Sequence, residues 1–110
     1  MRLCHPTLLT VVAFLVLAVA TPAPVISTES APQAVANGKR VFSQWCAPCH
    51  DVAGTTAKPG PELKNYYRHQ PRPADAVVRT IIQQGKGRMP RFGSLNRLQV
   101  DDVVAYLKTL

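Results

Sequence analysis

The cysteines of this chain limit how it can be stabilised. It has 110 residues and three cysteines: Cys4, Cys46 and Cys49. Cys4 lies in an amino-terminal segment that is predicted to be removed, and a disulfide between Cys46 and Cys49 would close almost no loop. The unit that remains is so small that its hydrophobic core is marginal without a further cross-link or cofactor. The length and the cysteine count exclude a disulfide scaffold, a multi-span membrane protein and a large enzyme core.

The two remaining cysteines belong to the run Cys46-Ala47-Pro48-Cys49-His50. This C-x-x-C-H pattern is the attachment signature of c-type haem. Each thiol would add to one vinyl group of the porphyrin, and His50 would then lie under the iron as its proximal ligand. A zinc ribbon would need a second C-x-x-C pair, and a thioredoxin-like dithiol would need a βαβ unit; the sequence predicts neither. We therefore expect one covalent haem c, with its iron, whose apolar surface completes the small core.

Residues 1–20 are typical of a secretory signal peptide. The apolar run from Leu8 to Ala20 is short for a membrane span, which takes roughly 20 residues, and Ala18-Val19-Ala20 is an A-x-A cleavage site. A second cleavage site lies after Ser27, and retention as an uncleaved membrane anchor facing the periplasm is the alternative. We expect export to the periplasm, with residues 21–32 as a flexible tether and residues 33–110 as the folded domain.

The folded domain is predicted to be all-α, with three main helices. The first opens at Ser30-Ala31-Pro32-Gln33, which resembles a capping box, and runs to about Cys46. The second opens at Pro73 and stops at Gly85, and the third starts at Asn96. Loops cover residues 47–62 and 85–93, and a short helical turn covers residues 62–68. Helical spacing places the following side chains on inward faces: Gly38, Val41, Phe42 and Trp45; Val77, Val78, Ile81 and Ile82; Val100, Val103, Val104 and Leu107.

Met89 is the candidate for the second axial ligand of the iron. It is the only methionine after cleavage, and Pro90 favours an extended backbone at Met89. One alternative is a methionine that fills a gap in the core. The other is His69 as the ligand, although the polar neighbours of His69 favour a surface position. Histidine and a thioether together leave no free position on the iron, and the thioether raises the reduction potential.

In their order along the chain, these features resemble a class I monohaem cytochrome c of the small bacterial type, from about residue 38 to residue 110. The resemblance depends on Gly38 and Phe42, the Cys46–His50 motif, Gly60-Pro61-Glu62-Leu63, Met89-Pro90 with Phe92-Gly93, and Val103-Val104-Ala105-Tyr106-Leu107. It implies that the terminal helices cross at Gly38, where Phe42 packs against Tyr106. It also implies that the Pro61 carbonyl accepts a hydrogen bond from the ring of His50; an ordinary turn proline is the alternative. The propionate partners are not assigned by the resemblance, and the candidates are Tyr66, Tyr67, Arg68 and Arg72.

Such a site predicts a one-electron shuttle and not an enzyme. Thirteen Lys and Arg residues against six Asp and Glu give a net charge of +7. This charge is either a solubilising surface or a basic rim that steers encounter with an acidic face on a redox partner. The partner would be a dehydrogenase, an oxidase or a membrane electron-transport complex, as in a respiratory chain, and no nucleic acid is expected. Two alternatives stay open: a haem c subunit of one larger complex, and a haem sensor or weak peroxidase.

Overall fold

The computed structural model describes residues 29–110, so the predicted signal segment and most of the predicted tether lie outside the described residues. The described part consists of three α-helices and one 3₁₀ turn: α1 (Ala31–Trp45), the turn Tyr66–Arg68, α2 (Asp75–Gln84) and α3 (Arg97–Leu107). No strand occurs within residues 29–110, so the all-α prediction is confirmed for this part of the chain. None of these helices is long and apolar enough to cross a membrane.

The two terminal helices begin where predicted, but only α3 has a capping box. Ser30 is the N-cap of α1, yet its side chain makes no capping hydrogen bond. The capping-box prediction is wrong here because the Gln33 side chain donates to Asn37 (3.1 Å) instead of reaching back to Ser30. At α3 the side chain of Asn96 accepts from the Gln99 amide, and the Gln99 side chain accepts from the Asn96 amide, each at 2.9 Å. These bonds satisfy two donors that the first turn would leave unpaired.

The start of α2 and one of its inward residues differ from the prediction. The helix begins at Asp75, two residues after Pro73, and ends at Gly85, whose φ of +81° suits glycine. Val78 and Ile82, which are four residues apart, are each 5% exposed, whereas Val77 is 54% exposed. The prediction of an inward Val77 is wrong because α2 buries a narrow stripe centred on Val78 and Ile82.

The core of the fold is the crossing of α1 over α3. A Cβ atom added to Gly38 would lie 1.9 Å from the backbone oxygen of Asp102, so the two helix backbones touch at this point. Next to the crossing, the rings of Phe42 and Tyr106 pack with centroids 5.4 Å apart. Both contacts were expected from the family resemblance. The α3 side of the core consists of the predicted stripe, which is at most 4% exposed: Val100, Val103, Val104 and Leu107.

Trp45, at the end of α1, does not join this core. It is 43% exposed, so the prediction that it lies on the buried face is wrong. Its ring packs edge-on against Phe92, with centroids 6.4 Å apart. Trp45 therefore lies at the border of the adjoining cavity and not inside the helix crossing.

Candidate functional site

A cavity of about 470 Å³ lies beside the helix crossing. This volume falls within the range of about 300–1,000 Å³ that is usual for ligand and cofactor sites. Its wall is formed by the end of α1, two loops, α2 and the last turn of α3. The lining residues are Trp45, Cys46, Cys49, His50, Pro59, Gly60, Pro61, Leu63, Tyr66, Val78, Ile81, Ile82, Lys86, Arg88, Met89, Pro90, Phe92 and Leu107. All five residues that the sequence predicts at the site, Cys46, Cys49, His50, Pro61 and Met89, are in this set.

A tight turn after α1 brings both cysteines and His50 to the cavity wall. The amides of Cys49 and His50 donate to the Cys46 carbonyl at 3.0 and 2.9 Å, which folds the motif back on itself. Cys46 is buried and Cys49 is exposed, and no disulfide joins them. In the chain before haem attachment, burial raises the pKa of the Cys46 thiol to about 11.

His50 is held in one orientation by the loop that passes over it. The residue is 8% exposed, and its Nδ1 atom lies 2.8 Å from the carbonyl oxygen of Pro61. Because a carbonyl oxygen only accepts, Nδ1 carries the proton and donates it to Pro61. The other ring nitrogen, Nε2, is then left with a free lone pair for a metal. This hydrogen bond is the one that the family resemblance implied; the role of Pro61 toward a bound haem stays a prediction.

Met89 reaches the same cavity from a second loop. Its backbone pairs with that of Lys86 through two hydrogen bonds of 3.0 and 3.2 Å, which close a short turn. The amide of Phe92 donates to the Ile82 carbonyl at 3.0 Å and ties this loop to α2. Met89 is partly buried against the core, and its ligand role stays a prediction. His69, the rival ligand, is exposed and is not among the described residues that line the cavity.

The four candidates for propionate partners are not placed alike. Tyr66 lines the cavity, whereas Tyr67 is 5% exposed and lies in the core away from the lining. Burial raises the pKa of Tyr67 to about 12, and Arg72 lies over its ring at 5.8 Å. Arg68 is exposed. The charged side chains on the cavity wall are Lys86 and Arg88, which the sequence reasoning did not single out although they flank Gly87 beside Met89.

Asp51 is a second residue that the sequence reasoning missed. It is 9% exposed, and its carboxylate accepts from the amides of Thr55 (2.8 Å), Thr56 (3.1 Å) and Ala53 (3.3 Å). These bonds, those from Thr56 and Thr55 most of all, lower the pKa of Asp51 to about 2. An aspartate shortly before a glycine and two threonines is the signal of a side chain that caps its own loop, and it could have been recognised.

The cavity fits a haem c and not a bare cation. Its lining includes the apolar side chains of Val78, Ile81 and Ile82, which suit the porphyrin faces. Its imidazole and its thioether are borderline and soft ligands that suit iron better than magnesium or calcium, and its two thiols can bond to the porphyrin vinyl groups. Within residues 29–110 no cluster of three or more His, Cys, Asp or Glu residues could hold a metal ion. The residues that are present therefore match a covalently bound porphyrin.

Comparison with known proteins gives the same result. Residues 33–107 match the family model described as cytochrome c oxidase, cbb3-type, subunit III. A cytochrome c6 of a Synechococcus species is 35% identical over 104 residues, which cover 92% of this chain and 89% of that protein. A cytochrome c6 of Parathermosynechococcus lividus is 38% identical over 76 residues, covering 66% of this chain and 86% of the relative. No solved structure gives a match.

Proposed function

Because this chain belongs to the class I monohaem c-type cytochromes and carries one covalent haem c with its iron, we propose that it shuttles single electrons between redox proteins in the periplasm. Belonging to this family makes the chain an electron carrier. The observation that supports the rest of the proposal is the placement of Cys46, Cys49, His50 and Met89 around one largely apolar cavity.

Each of these residues has one task in the proposal. Cys46 and Cys49 hold the cofactor by thioether bonds, and His50 offers Nε2 because Nδ1 is committed to Pro61. Met89 would ligate the iron with its thioether, and His50 and Met89 together would then leave no position for a substrate. When bound, the haem supplies the one-electron chemistry, and the protein sets its potential, its burial and its docking. A neutral sulfur ligand favours the ferrous state and raises the potential.

Carbon monoxide tests this proposal against a sensor or a weak peroxidase. We expect the reduced holoprotein to show the spectrum of a low-spin haem. Carbon monoxide should leave this spectrum unchanged, since His50 and Met89 would both hold the iron. Rapid carbon monoxide binding by the unmodified protein would contradict a pure carrier and favour the sensor.

The charge around the cavity supports a protein partner with an acidic docking face. Lys86 and Arg88 lie on the cavity wall, and Arg91 follows them on the exposed side of the same loop. We name these three residues the basic rim. Opposite charges on a partner would steer the encounter toward the side of the molecule where the cavity opens.

Ionic strength tests the role of the basic rim. Electron transfer to the natural partner should slow as salt rises, because charges beyond about 10 Å are screened at 0.1 M. Arg88→Gln should weaken this salt dependence, whereas Lys39→Gln, which removes the same charge from an exposed position on α1, should not. A rate that is flat or rises with salt would contradict an attraction between the basic rim and an acidic face of the partner.

A dedicated subunit of one larger complex is the second candidate, and the matched family model favours it because that model is named for an oxidase subunit. The two functions differ in how the protein behaves when it is isolated gently. A shuttle should elute as a free monomer and reduce more than one acceptor. A dedicated subunit should co-purify in fixed ratio with one partner.

A further inference from the structure

Residues 51–63, named the proximal loop here, form neither helix nor strand. The loop is closed near its two ends by backbone hydrogen bonds. The amide of Leu63 donates to the Asp51 carbonyl, and that of Gly60 donates to the Cys49 carbonyl, each at 2.8 Å. Pro61 lies between these two closing bonds, and its carbonyl oxygen is 2.8 Å from Nδ1 of His50. The position of the Pro61 carbonyl therefore depends on how the whole loop is held.

The Asp51 side chain makes most of the hydrogen bonds that hold the middle of the proximal loop, and the Lys64 ammonium adds one to the Ala53 carbonyl at 3.2 Å. Residues 53–57 are exposed and belong to no regular element. The Asp51 carboxylate accepts from Thr55 and Thr56 through Oδ2 and from Ala53 through Oδ1. Hydrogen bonds to a charged acceptor are about twice as strong as neutral ones. The same residue also supplies the carbonyl that anchors Leu63, so Asp51 fixes both the inside and the end of the loop.

We propose that Asp51 is a positioning residue for His50: by clamping the proximal loop, it keeps the Pro61 carbonyl on the imidazole ring and thereby tunes the reduction potential. The inference rests on the proposed role of His50 as the proximal ligand. A ligating histidine that donates its other N–H is held in orientation and becomes a more basic ligand. Basicity stabilises ferric iron more than ferrous iron. A looser loop weakens the bond to Pro61 and raises the potential.

The competing explanation is charge alone, because a carboxylate next to His50 also stabilises ferric iron. Three variants of the full-length holoprotein separate the two explanations. Asp51→Glu keeps the charge but adds a methylene that displaces the clamp. Asp51→Asn removes the charge and one of the two acceptor oxygens. Glu62→Gln is the matched control, since it removes a charge from an exposed residue of the same loop.

The readouts are the reduction potential and the hydrogen exchange of the Gly60 and Leu63 amides, with the His50 ring N–H followed by NMR. In Asp51→Glu we expect a raised potential, about tenfold faster exchange at both amides and a changed ring signal, as for the loss of one hydrogen bond. Asp51→Asn should show the same changes, so it decides the matter if Asp51→Glu does not yield holoprotein. Glu62→Gln should leave the exchange unchanged.

Two results would overturn the inference. In the first, Asp51→Glu keeps the potential and the exchange rates of the unmodified protein. In the second, Asp51→Asn and Glu62→Gln raise the potential equally and neither changes the exchange. A failure of the proposed function would be recognised by a different measurement. In that case the unmodified holoprotein would lack the spectrum of a low-spin haem ligated by histidine and methionine.

Discussion

The crossing of α1 over α3 is made by backbone contact and apolar side chains, whereas the two loops beside the cavity are held by scattered hydrogen bonds. At the crossing, Gly38 lets the helices touch, and Val103 and Val104 are each 1% exposed. In the proximal loop, a single carboxylate, that of Asp51, accepts from three backbone amides. The loop around Met89 is closed by its pairing with Lys86.

This difference shows where the fold depends on its cofactor. Helix packing buries apolar area, and this burial stabilises the folded state by roughly 25 cal/mol per Å² without any ligand. The loop residues Leu63, Met89 and Phe92 are only partly buried against the core, and the cavity beside them has apolar walls. The covalent haem therefore fills the part of the core that the loops cannot.

The largest expected effect comes from removing the attachment of the haem. Haem should stay with the unmodified chain through acid–acetone extraction, and changing Cys46 and Cys49 together to Ala should abolish this. The apoprotein should be largely unfolded by circular dichroism, because a core of this size is marginal alone. Normal helical content in the variant without haem would mean that the helix crossing is self-sufficient.

The next effect isolates the helix crossing. Gly38→Ala gains about 1 kcal/mol of helix propensity, but the new Cβ atom meets the Asp102 oxygen at 1.9 Å. Overpacking of this kind typically costs 1–3 kcal/mol, and the upper end applies here because the new atom meets backbone, so we expect a net loss of about 2 kcal/mol in urea denaturation. Gly93→Ala is the control, since nothing lies within 4 Å of its added Cβ. Equal stability of both variants would show that the helices separate freely.

A glycine in the Met89 loop should respond differently. Gly85 has a φ of +81°, and an added Cβ would lie 2.6 Å from the Met89 carbonyl oxygen. Gly85→Ala should cost about 1–3 kcal/mol of local strain, which we expect to be relieved by displacing the loop. The visible spectrum should then report a weakened methionine ligand while the far-ultraviolet circular dichroism stays native. If the variant unfolded globally while the methionine ligand was retained, the idea that the Met89 loop responds independently of the helix crossing would be contradicted.

The smallest effect concerns a pair that ties the start of α2 to the end of α3. Lys108 hydrogen-bonds Asp75 and lowers the pKa of Asp75 below its ordinary value of 3.8. A lowered pKa in the folded state means that this stabilisation is present above about pH 4 and is lost as the pH falls below it. Both side chains are about one-third exposed, so we expect Asp75→Asn to cost at most about 1 kcal/mol.

Urea denaturation of the holoprotein measures this effect. The difference in stability between Asp75→Asn and the unmodified protein should be present at pH 7 and should shrink as the pH falls below 4. Glu62→Gln serves as the charge control. A difference that grows on acidification would contradict the sign derived from the pKa of Asp75.

Much of the helical part could be predicted because buried residues recur at the spacing of the helical turn. The stripe on α3 and the capping pair Asn96–Gln99 follow from residue spacing alone. The prediction that Val77 and Trp45 are buried was wrong because residue spacing shows which face of a helix is apolar but not how wide its buried stripe is. That width depends on the segments that pack against the helix. The Trp45 ring contacts Phe92, which lies in a loop more than forty residues further along the sequence. Helical periodicity does not reveal such a contact.

In the candidate site, too, local features could be predicted from the sequence and features that depend on loop conformation could not. The motif Cys46–His50 is local, so its residue types and spacing sufficed to predict the cofactor. The clamp by Asp51 and the lining by Lys86 and Arg88 depend on loop conformation, which residue pattern constrains weakly. Of the candidate propionate partners Tyr66 and Tyr67, only Tyr66 lines the cavity, because neighbours in a 3₁₀ turn face different directions.

The sixth ligand of the iron tests the account most directly. Optical spectra and potentiometry should be recorded for Met89→Ala, Met89→His and, as a control, His69→Ala. Met89→Ala should open the iron to carbon monoxide, and Met89→His should lower the potential while the haem stays six-coordinate and low-spin. His69→Ala should change neither property. An unchanged spectrum and potential in Met89→Ala would contradict the ligand assignment and, with it, the main support for an electron shuttle.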